Sequence, residues 1–391
     1  MKEVPGRAGA APLGAGGDAR TAPLDPPYGE RDRGDMAGKI ASAPAQIDEA
    51  LERLAASPWP APSRAPDLLA VGAMGGSAIA ADLARALDAD RLPRPVLVVR
   101  GYRWPACVTS ASLALLCSYS GETEETLALY LEARRRGVPC LAVTTGGTLA
   151  GWCRRDGVPC ARLPEGMPPR AALYASWVTF SQLLRALGWI GDPAPGWREA
   201  AQSLRDRAAR WAPEVPEARN PAKQRARALQ GKSVLIYASA ERLGPIGTRL
   251  RNQLNENAKQ LAHSALFPEL NHNEIVGWEW PGAAKDRAVV LLRDPEDPPE
   301  IAERLDLTAE YVESRGALAV PIGEEQGGRL ARAVALVQLG DYVSLYLALL
   351  NGIDPTPIAS IDAFKRRLAE SRRARAASRS PGAMEDSPGG T

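Results

Sequence analysis

The sequence predicts an α/β protein built from two tandem doubly wound αβα domains, each with a parallel sheet. Three observations predict this fold class. Short apolar segments of four to six residues alternate with amphipathic helical patterns, as in parallel sheets covered on both faces. The length of 391 residues suits two domains of about 150 residues each. The same order of strand, loop and helix occurs twice along the chain, which indicates duplication of one unit.

The first half supplies strands that lead through short turns into helices. Residues 67–71 (DLLAV) and 113–117 (LALLC) are the first two expected strands. A helical pattern covers 78–87 after the first strand, and another ends at Gly137 after the second. A further strand is expected at 141–144.

The second half repeats this order at an offset of about 170 residues. Residues 233–237 (SVLIY) form a strand that is followed by a helix through Leu254. Residues 288–292 (AVVLL) form the next strand, and the helix after it ends at Gly316. The segment 317–322 is the matching last strand.

Changes in composition predict the domain boundaries. The ends of the chain are rich in Gly, Ala, Pro and Arg without a period, which favours disorder, and prolines cluster between the two repeats. The predicted organisation is a disordered tail over 1–35, a first domain over 36–195, a linker over 196–219, a second domain over 220–370 and a disordered tail over 371–391.

Charge and composition exclude several classes of partner. The net charge of +2 gives no electrostatic reason to expect nucleic acid or an anionic membrane. The apolar run 331–350 is interrupted by Gln338, Gly340 and Asp341, so it is expected to be a buried helix. The N-terminus has no apolar signal segment. Five cysteines without a CxxC pair are typical of reduced thiols, and a cytoplasmic protein is therefore expected.

Two loops of the first domain have the composition of a phosphate site. Residues 72–77 (GAMGGS) and 118–123 (SYSGET) each follow a strand and open a helix. Small residues, hydroxyls and free backbone N–H groups at a helix N-terminus stabilise a phosphate. Ser77, Ser118 and Ser120 would otherwise be ordinary turn and capping residues. A dinucleotide site is disfavoured because the G-x-G-x-x-G fingerprint is absent.

A short polar window carries the candidate acid–base chemistry. Five of the seven asparagines and both histidines of the protein lie within 252–273. An aldose–ketose isomerisation needs a carboxylate base, and Glu256 is the first candidate, with Glu269 and Glu274 as rivals. Opening a sugar ring needs a group that titrates near neutrality, for which His272 is the candidate.

Positive charge must stabilise the oxygens of the enediolate intermediate. Arg170 and Lys365 are the leading candidates, and Lys365 is one of only seven lysines. The second histidine, His263, has no polar cluster of its own and is expected to be structural.

These residues resemble the family of bifunctional phosphoglucose/phosphomannose isomerases, which have two flavodoxin-like sugar-isomerase (SIS) domains. The resemblance extends in order from about Asp35 to Leu368. The stretches that carry it are AMGGSAI (73–79), SYSGETEETL (118–127), PR (169–170), QLNENAK (253–259), PELNHNEIVGWE (268–279), GDYVSLYLALLNGIDPTPI (340–358) and the IDxxK of 361–365.

The resemblance implies a role for each candidate. The substrate phosphate would be bound by Gly76, Ser77, Ser118, Ser120 and Thr123. Catalysis would be carried by Glu256 as the base, Arg170 on the enediolate, and His272 and Lys365 in ring opening. It also implies a homodimer in which His272 reaches the neighbouring subunit's site, and it implies no metal and no cofactor.

Three positions depart from the family pattern. Ala73 stands where the family has a glycine, and an alanine would be strained there if the position required positive φ. Glu122 replaces an asparagine and adds negative charge beside the expected phosphate, and Pro168 replaces a glutamine.

The function expected from the resemblance is the reversible isomerisation of glucose 6-phosphate and mannose 6-phosphate to fructose 6-phosphate. The alternative is a non-catalytic sensor that binds sugar phosphates, for which Ala73 and Glu122 are the motivation.

Overall fold

Two parallel β-sheets organise the protein, whose computed structural model describes residues 24–62 and 64–377. The first sheet contains β1 (Leu69–Ala73), β2 (Val96–Val99), β3 (Leu113–Cys117), β4 (Cys140–Thr144) and β5 (Cys160–Arg162). The second contains β6 (Ser233–Ser239), β7 (Ala262–Phe267), β8 (Arg287–Arg293) and β9 (Leu318–Gly323). The predicted α/β class with parallel sheets is confirmed.

The two sheets share one strand order. The first runs β2-β1-β3-β4-β5 and the second runs β7-β6-β8-β9, with every neighbouring pair parallel. In each half the first strand therefore lies between the second and the third. This is a doubly wound order, with a topological switch point beside the first strand. The duplication expected from the sequence is present in the topology.

Helices cover both faces of the two sheets. Between the sheets or around them lie α1 (Met36–Ala41), α2 (Ala43–Ala56), α3 (Gly75–Leu87), α6 (Leu173–Ala186), α7 (Ala194–Trp211), α8 (Pro221–Leu229), α9 (Gly244–Glu256) and α11 (Arg329–Leu350). The outer faces of the two sheets are covered by α4 (Glu124–Arg135), α5 (Gly147–Asp156) and α10 (Pro299–Ser314). A second compact unit begins at Thr356 and contains α12 (Ala359–Ala377).

Alternation of side chains along the strands divides the core. Val71 of β1 and Ile236 of β6 both belong to one central cluster, which the inner helices complete. Their neighbours Ala70 and Tyr237 face two separate outer clusters, one on each sheet. Successive side chains of a strand point to opposite faces, so each strand contributes to two cores.

Helix α11 is buried along almost its whole length. It is long and apolar enough to span a bilayer, but all of the apolar window is buried inside the protein. A helix that is hydrophobic all round belongs in a core. The prediction of a buried helix over 331–350 is confirmed, and no other helix of the described residues meets the length and hydropathy of a membrane span.

Three segments differ from the predicted organisation. The expected linker over 196–219 is largely helix α7, which buries Trp197 and Trp211 completely. Residues 24–35 were expected in the disordered tail, yet Leu24 is buried and the Lys223 ammonium donates to Asp25 at 2.7 Å. Helix α12 continues past 371 to Ala377. The remainder of both predicted tails, 1–23 and 378–391, lies outside the described residues.

The direction of the helices decides which edge of a sheet each residue reaches. Helix α9 runs back from the end of β6, so its last turn lies where the strands of the second sheet begin. Asn255 in that turn donates to the carbonyl of Ala262, the first residue of β7, at 3.1 Å. Residues after β7 lie at the opposite edge. Loops that follow β1 and β3 lie at the carboxyl edge of the first sheet.

Candidate active site

The first candidate phosphate loop joins β1 to α3 through a glycine in the left-handed region. Gly75 has φ of +49°, and Ser77 follows in the first turn of α3. Gly76 lies so close to the Pro169–Arg170 segment that an added Cβ would stand 3.1 Å from the carbonyl oxygen of Pro169. A side chain larger than hydrogen at 76 would push that segment away. The loop and Arg170 are therefore direct neighbours.

The second loop, 118–123, is held together by its own hydroxyl groups. The buried Ser118 hydroxyl donates to the hydroxyl of Thr123 at 2.8 Å and accepts the Gly121 N–H at 3.1 Å. Ser120 is exposed, and its hydroxyl accepts the Glu122 N–H at 3.2 Å. Gly121 has φ of +72°, and a Cβ there would overlap the carbonyl of Gly146 at 1.9 Å. The loop backbone is thus fixed before any ligand binds.

Glu122 points away from the centre of the loop and caps a neighbouring helix. Its carboxylate accepts the Thr148 N–H at 2.6 Å and the Thr148 hydroxyl at 2.9 Å, at the N-terminus of α5. A carboxylate at a helix N-terminus is stabilised by the helix dipole and by the unpaired N–H groups. The charge that replaces the family's asparagine has a local structural partner.

Ala73 carries no backbone strain. It is the last residue of β1, is buried and pairs with Cys117 of β3 in regular parallel register. Positive φ occurs at Gly75, two residues later. The glycine that the family has at the position of Ala73 is not required by the backbone here. Pro168, the third departure, has φ of −58° and precedes the 3₁₀ turn that carries Arg170.

Arg170 is buried and held by acceptors from two distant parts of the chain. Its Nε donates to the side-chain oxygen of Asn257 at 2.7 Å, and its Nη2 donates to the carbonyl of Pro355 at 2.8 Å. Its Nη1 lies 3.7 Å from Oε2 of Glu256. Burial lowers the pKa of Arg170, and the Glu256 carboxylate opposes that shift. The guanidinium stays charged, since arginine does not titrate in the accessible pH range.

Glu256 is the last residue of α9 and is the carboxylate that meets Arg170. Its side chain is 31% exposed, so a ligand can reach it. The rival carboxylates are engaged elsewhere. Glu274 accepts the Tyr237 hydroxyl at 2.7 Å, and Glu269 accepts an N–H of the Asn273 amide at 2.8 Å. Of the three, only Glu256 forms a pair with Arg170 among the described side chains.

His272 does not meet Glu256 within one chain. It ends the 3₁₀ turn Glu269–His272 beyond the end of β7, whereas Glu256 lies beside the start of that strand. A six-residue strand spans roughly 17 Å, so the two side chains lie at opposite edges of the second sheet. His272 is exposed, and no hydrogen bond or ion pair to its side chain is present within 24–62 and 64–377.

Two candidates from the sequence remain, one in each unit. His263 is on the edge strand β7 and is exposed. Lys365 is an exposed residue of α12 in the unit that begins at Thr356. Its part in the site stays a prediction.

The second half does not offer a matching anion site at its own switch point. The Asp297 carboxylate lies between the ends of β6 and β8, where it accepts the Ser239 hydroxyl at 3.1 Å and the Asp294 N–H at 2.9 Å. Burial raises the pKa of Asp297, and the neighbouring hydrogen bonds oppose that shift. A phosphate in this crevice would meet a carboxylate already in place. This crevice of the second half is therefore poorly suited to a phosphate.

Two residues of the ENAK segment contribute to the site although their roles were not assigned from the sequence. Asn257 accepts from Arg170 and donates to the Ser344 hydroxyl of α11 at 2.9 Å. Lys259 donates to the carbonyl of Glu256 at 2.7 Å and to that of Pro355 at 3.2 Å. The signal for both is the local enrichment in polar residues, but Ser344 is 87 residues from Asn257 and Pro355 is 96 residues from Lys259.

Comparison with known proteins gives consistent matches. Residues 218–368 match the family model described as the bacterial phospho-glucose isomerase C-terminal SIS domain. A bifunctional phosphoglucose/phosphomannose isomerase of Caldicellulosiruptor bescii is 40% identical over 305 residues, which are 78% of this chain and 90% of that protein. The one from Aquifex aeolicus is 31% identical over 75% of this chain and 88% of its own length.

Solved structures show the same fold at low sequence identity. The C-terminal domain of glucosamine-fructose-6-phosphate aminotransferase from Francisella tularensis superposes with a TM-score of 0.62 at 15% identity. The match covers 81% of this chain and 96% of that one. Two sheets in this arrangement are thus a known architecture, into which the Arg170–Glu256 pair is built.

Proposed function

Because the chain belongs to the family of bifunctional phosphoglucose/phosphomannose isomerases, we propose that it interconverts fructose 6-phosphate with glucose 6-phosphate and mannose 6-phosphate through a cis-enediol intermediate. The observation that carries the proposal is the pair of Arg170 and Glu256, 3.7 Å apart beside the Gly76 loop. A partly exposed carboxylate next to a buried cation is suited to a reaction that moves a proton and develops negative charge on oxygen.

Glu256 is the proposed base. It removes the proton from C2 of the open-chain aldose, and O1 gains a proton as the enediol forms. The same carboxylic acid then returns its proton to C1, while O2 loses its own proton and becomes the ketose carbonyl. The proton that O2 loses balances the one that O1 gained. Arg170 stabilises the negative charge on O1 and O2 during both steps. Acceptance of both C2 epimers requires that the enediol presents either face of C2 to Glu256.

The phosphate is proposed to lie at the carboxyl edge of the first sheet, against the N-termini of α3 and α4. Gly76, Ser77, Ser120 and Thr123 would contribute N–H groups and hydroxyls there. Ser118 supports this loop from inside, since its hydroxyl is used by Thr123 and Gly121. The orientation of Glu122 toward α5 removes one objection to an anion at this place.

His272 and Lys365 are the proposed groups for ring opening, and we propose that His272 acts in the site of a second subunit of a homodimer. The separation of Glu256 and His272 by the length of β7 supports this assignment, since one chain cannot bring them to one sugar. Exposed apolar side chains near His272 also support an interface: Val276 is 57% and Trp280 74% exposed. Large apolar groups of this kind are typical of buried contacts between subunits.

Substitution Glu256→Gln tests the proposed base. The amide cannot accept the C2 proton, so kcat should fall by about 10²–10⁴-fold while fructose 6-phosphate still binds. The measurement is a coupled assay of both aldose products, together with exchange of the C2 proton in deuterium oxide. The matched control is Glu269→Gln, which removes a rival carboxylate. Near-normal exchange in Glu256→Gln with a large loss in Glu269→Gln would transfer the role of base to Glu269.

The alternative, a non-catalytic sensor of sugar phosphates, loses its motivation. It was based on Ala73 and Glu122, and both residues have an ordinary structural setting. We also propose a cytoplasmic location, which the free thiols of all five cysteines support.

A further inference from the structure

Lys259 is the last residue of the ENAK segment (256–259), and the proposed mechanism gives it no role. It lies just beyond the C-terminus of α9, after Asn257 and Ala258, and its φ of +49° places a lysine in the left-handed region. Residues other than glycine, asparagine and aspartate rarely adopt that conformation, so the surrounding contacts must stabilise the backbone of Lys259 there. This conformation turns the chain so that the lysine side chain folds back over the end of the helix.

The ammonium of Lys259 joins two elements that both contact Arg170. Its Nζ lies 2.7 Å from the carbonyl oxygen of Glu256 and 3.2 Å from that of Pro355. The Pro355 carbonyl is the same oxygen that accepts Nη2 of Arg170 at 2.8 Å. Lysine and arginine therefore share one acceptor, and the lysine also holds the backbone of the proposed base.

We propose that Lys259 is a positioning residue of the isomerase site, which fixes the Pro355 carbonyl against the end of α9 and thereby holds Arg170 in line with Glu256. This inference rests on the proposed function. A further contact of Arg170, from Nε to Asn257, comes from the residue next to Glu256. With both acceptors fixed to the end of one helix, the guanidinium cannot rotate away from the carboxylate.

A purely local role, as a cap of α9, accounts for only part of this geometry. Cations near a helix C-terminus are stabilised by the dipole and by the last carbonyls. A cap would be satisfied by the Glu256 and Asn257 carbonyls alone, and it would not require Pro355, which is 96 residues away. The contact to Pro355 is the feature that links Lys259 to the catalytic arginine.

The charges around the Lys259 ammonium lead to an expected dependence of activity on pH. The charged groups that face the ammonium are Arg170 from the turn before α6, Glu256 from α9 and Asp354 from the segment after α11. Burial and the charge of Arg170 lower the pKa of Lys259 to about 8. Below that pH the lysine is charged and donates to the carbonyls. Above it the charge is lost and the contacts to Pro355 and Glu256 weaken, so activity should fall.

The test compares Lys259→Met and Lys259→Arg in the full-length protein with fructose 6-phosphate as substrate. Lys259→Met should lower kcat by about 10- to 100-fold, with KM changed by less than about threefold, because misplacement of a catalytic group acts on the reacting geometry. Wild-type kcat should decline above about pH 8. Lys259→Arg should keep most of the activity and move that decline to higher pH, since arginine stays charged.

Two controls separate this role from folding and from the proposed function. Lys285→Met removes an exposed lysine whose side chain makes no hydrogen bond or ion pair with any described residue, and it should leave kcat unchanged. Thermal unfolding of Lys259→Met must stay cooperative. The inference about Lys259 is overturned, and the proposed function is not, if the wild type is active and Lys259→Met is equally active. The same holds if the decline in kcat above about pH 8 is unchanged in Lys259→Arg. A wild type that does not isomerise hexose 6-phosphates overturns the proposed function and this inference with it.

Discussion

At the scale of single residues, Glu122 shows how a charge can be misjudged from its position in a motif. In the sequence it stands beside two serines and a threonine that have the pattern of a phosphate loop. In the structure both carboxylate oxygens accept hydrogen bonds from Thr148, at the start of the next helix. The carboxylate and a substrate phosphate would therefore use different helix N-termini, and repulsion between them is reduced by separation and by solvent.

Replacement of Glu122 by the family's asparagine should therefore affect stability more than substrate binding. The shorter amide cannot reach Thr148, and loss of such a cap costs about 1 kcal/mol in the free energy of unfolding. KM for fructose 6-phosphate should change by less than about threefold. Urea unfolding and steady-state kinetics measure the two effects, with Glu122→Gln as the isosteric control. A large fall in KM without loss of stability would show that the charge opposes the phosphate.

The site could be predicted from the sequence only where its residues lie close together along the chain. Enrichment of asparagine and histidine around 252–273 identified the region of Glu256, and the structure pairs that residue with Arg170. Arg170 itself was found through the resemblance and through its charge. The acceptor of Arg170 at Pro355 is a backbone carbonyl. Every residue has such a carbonyl, so the type of residue at 355 does not indicate this contact.

At the scale of elements, a buried polar network connects α9 to α11 behind the site. Arg249 and Asp341 form a bidentate ion pair with distances of 2.8 and 2.9 Å, and both side chains are almost completely buried. Gln253 donates to the same carboxylate at 2.8 Å. Burial raises the pKa of Asp341, and Arg249 opposes that shift. The network fixes the helix whose last residue is Glu256.

Substitution Asp341→Asn should destabilise the protein strongly. It leaves the Arg249 guanidinium buried without its countercharge, and breaking a buried pair from one side costs about 3–5 kcal/mol. The midpoint of urea unfolding measures the loss. The double variant Arg249→Met, Asp341→Leu removes both charges and should recover part of the stability. If the free energy of unfolding of Asp341→Asn lies within about 1 kcal/mol of the wild-type value, a stabilising role for the pair is contradicted.

The sequence predicts the elements with a strong apolar signal, and it misses some of those with mixed surfaces. The buried strands β1, β3, β6 and β8 were expected near their observed bounds. Strand β7 was not, because it is an edge strand whose residues, AHSALF, are mostly exposed or half-buried. The prolines that flank helix α7 favour a linker in the sequence. Its buried face nevertheless has apolar residues at helical spacing, namely Trp197, Ala201, Leu204 and Trp211.

At the scale of the whole molecule, the two halves keep one topology but contribute opposite edges to the site. The first sheet offers its carboxyl edge, with the loops after β1 and β3. The second offers the amino edge beside the start of β7, where α9 ends with Glu256. The rule that ligands lie at carboxyl edges therefore agrees with the proposed phosphate loops and disagrees with the proposed base. A duplication alone does not reveal which edge of the second copy is used.

This arrangement leads to a test of the dimer by complementation. Glu256→Gln homodimers lack the proposed base, and His272→Ala homodimers lack the proposed ring-opening group, so both should have low activity. In a heterodimer of the two chains, the His272→Ala chain still has Glu256, and its partner supplies an intact His272. One of the two sites is then complete, because a two-fold interface exchanges the same residues in both directions.

The heterodimer is obtained by co-expression of the two variants with different affinity tags and purification over both tags. Its activity should reach about half of the wild-type value per dimer, far above that of either parent, since one site of two is restored. A single-chain site predicts the opposite, because every chain would then lack one of its two groups. A purified heterodimer as inactive as its parents would therefore assign His272 to its own subunit or remove it from the reaction.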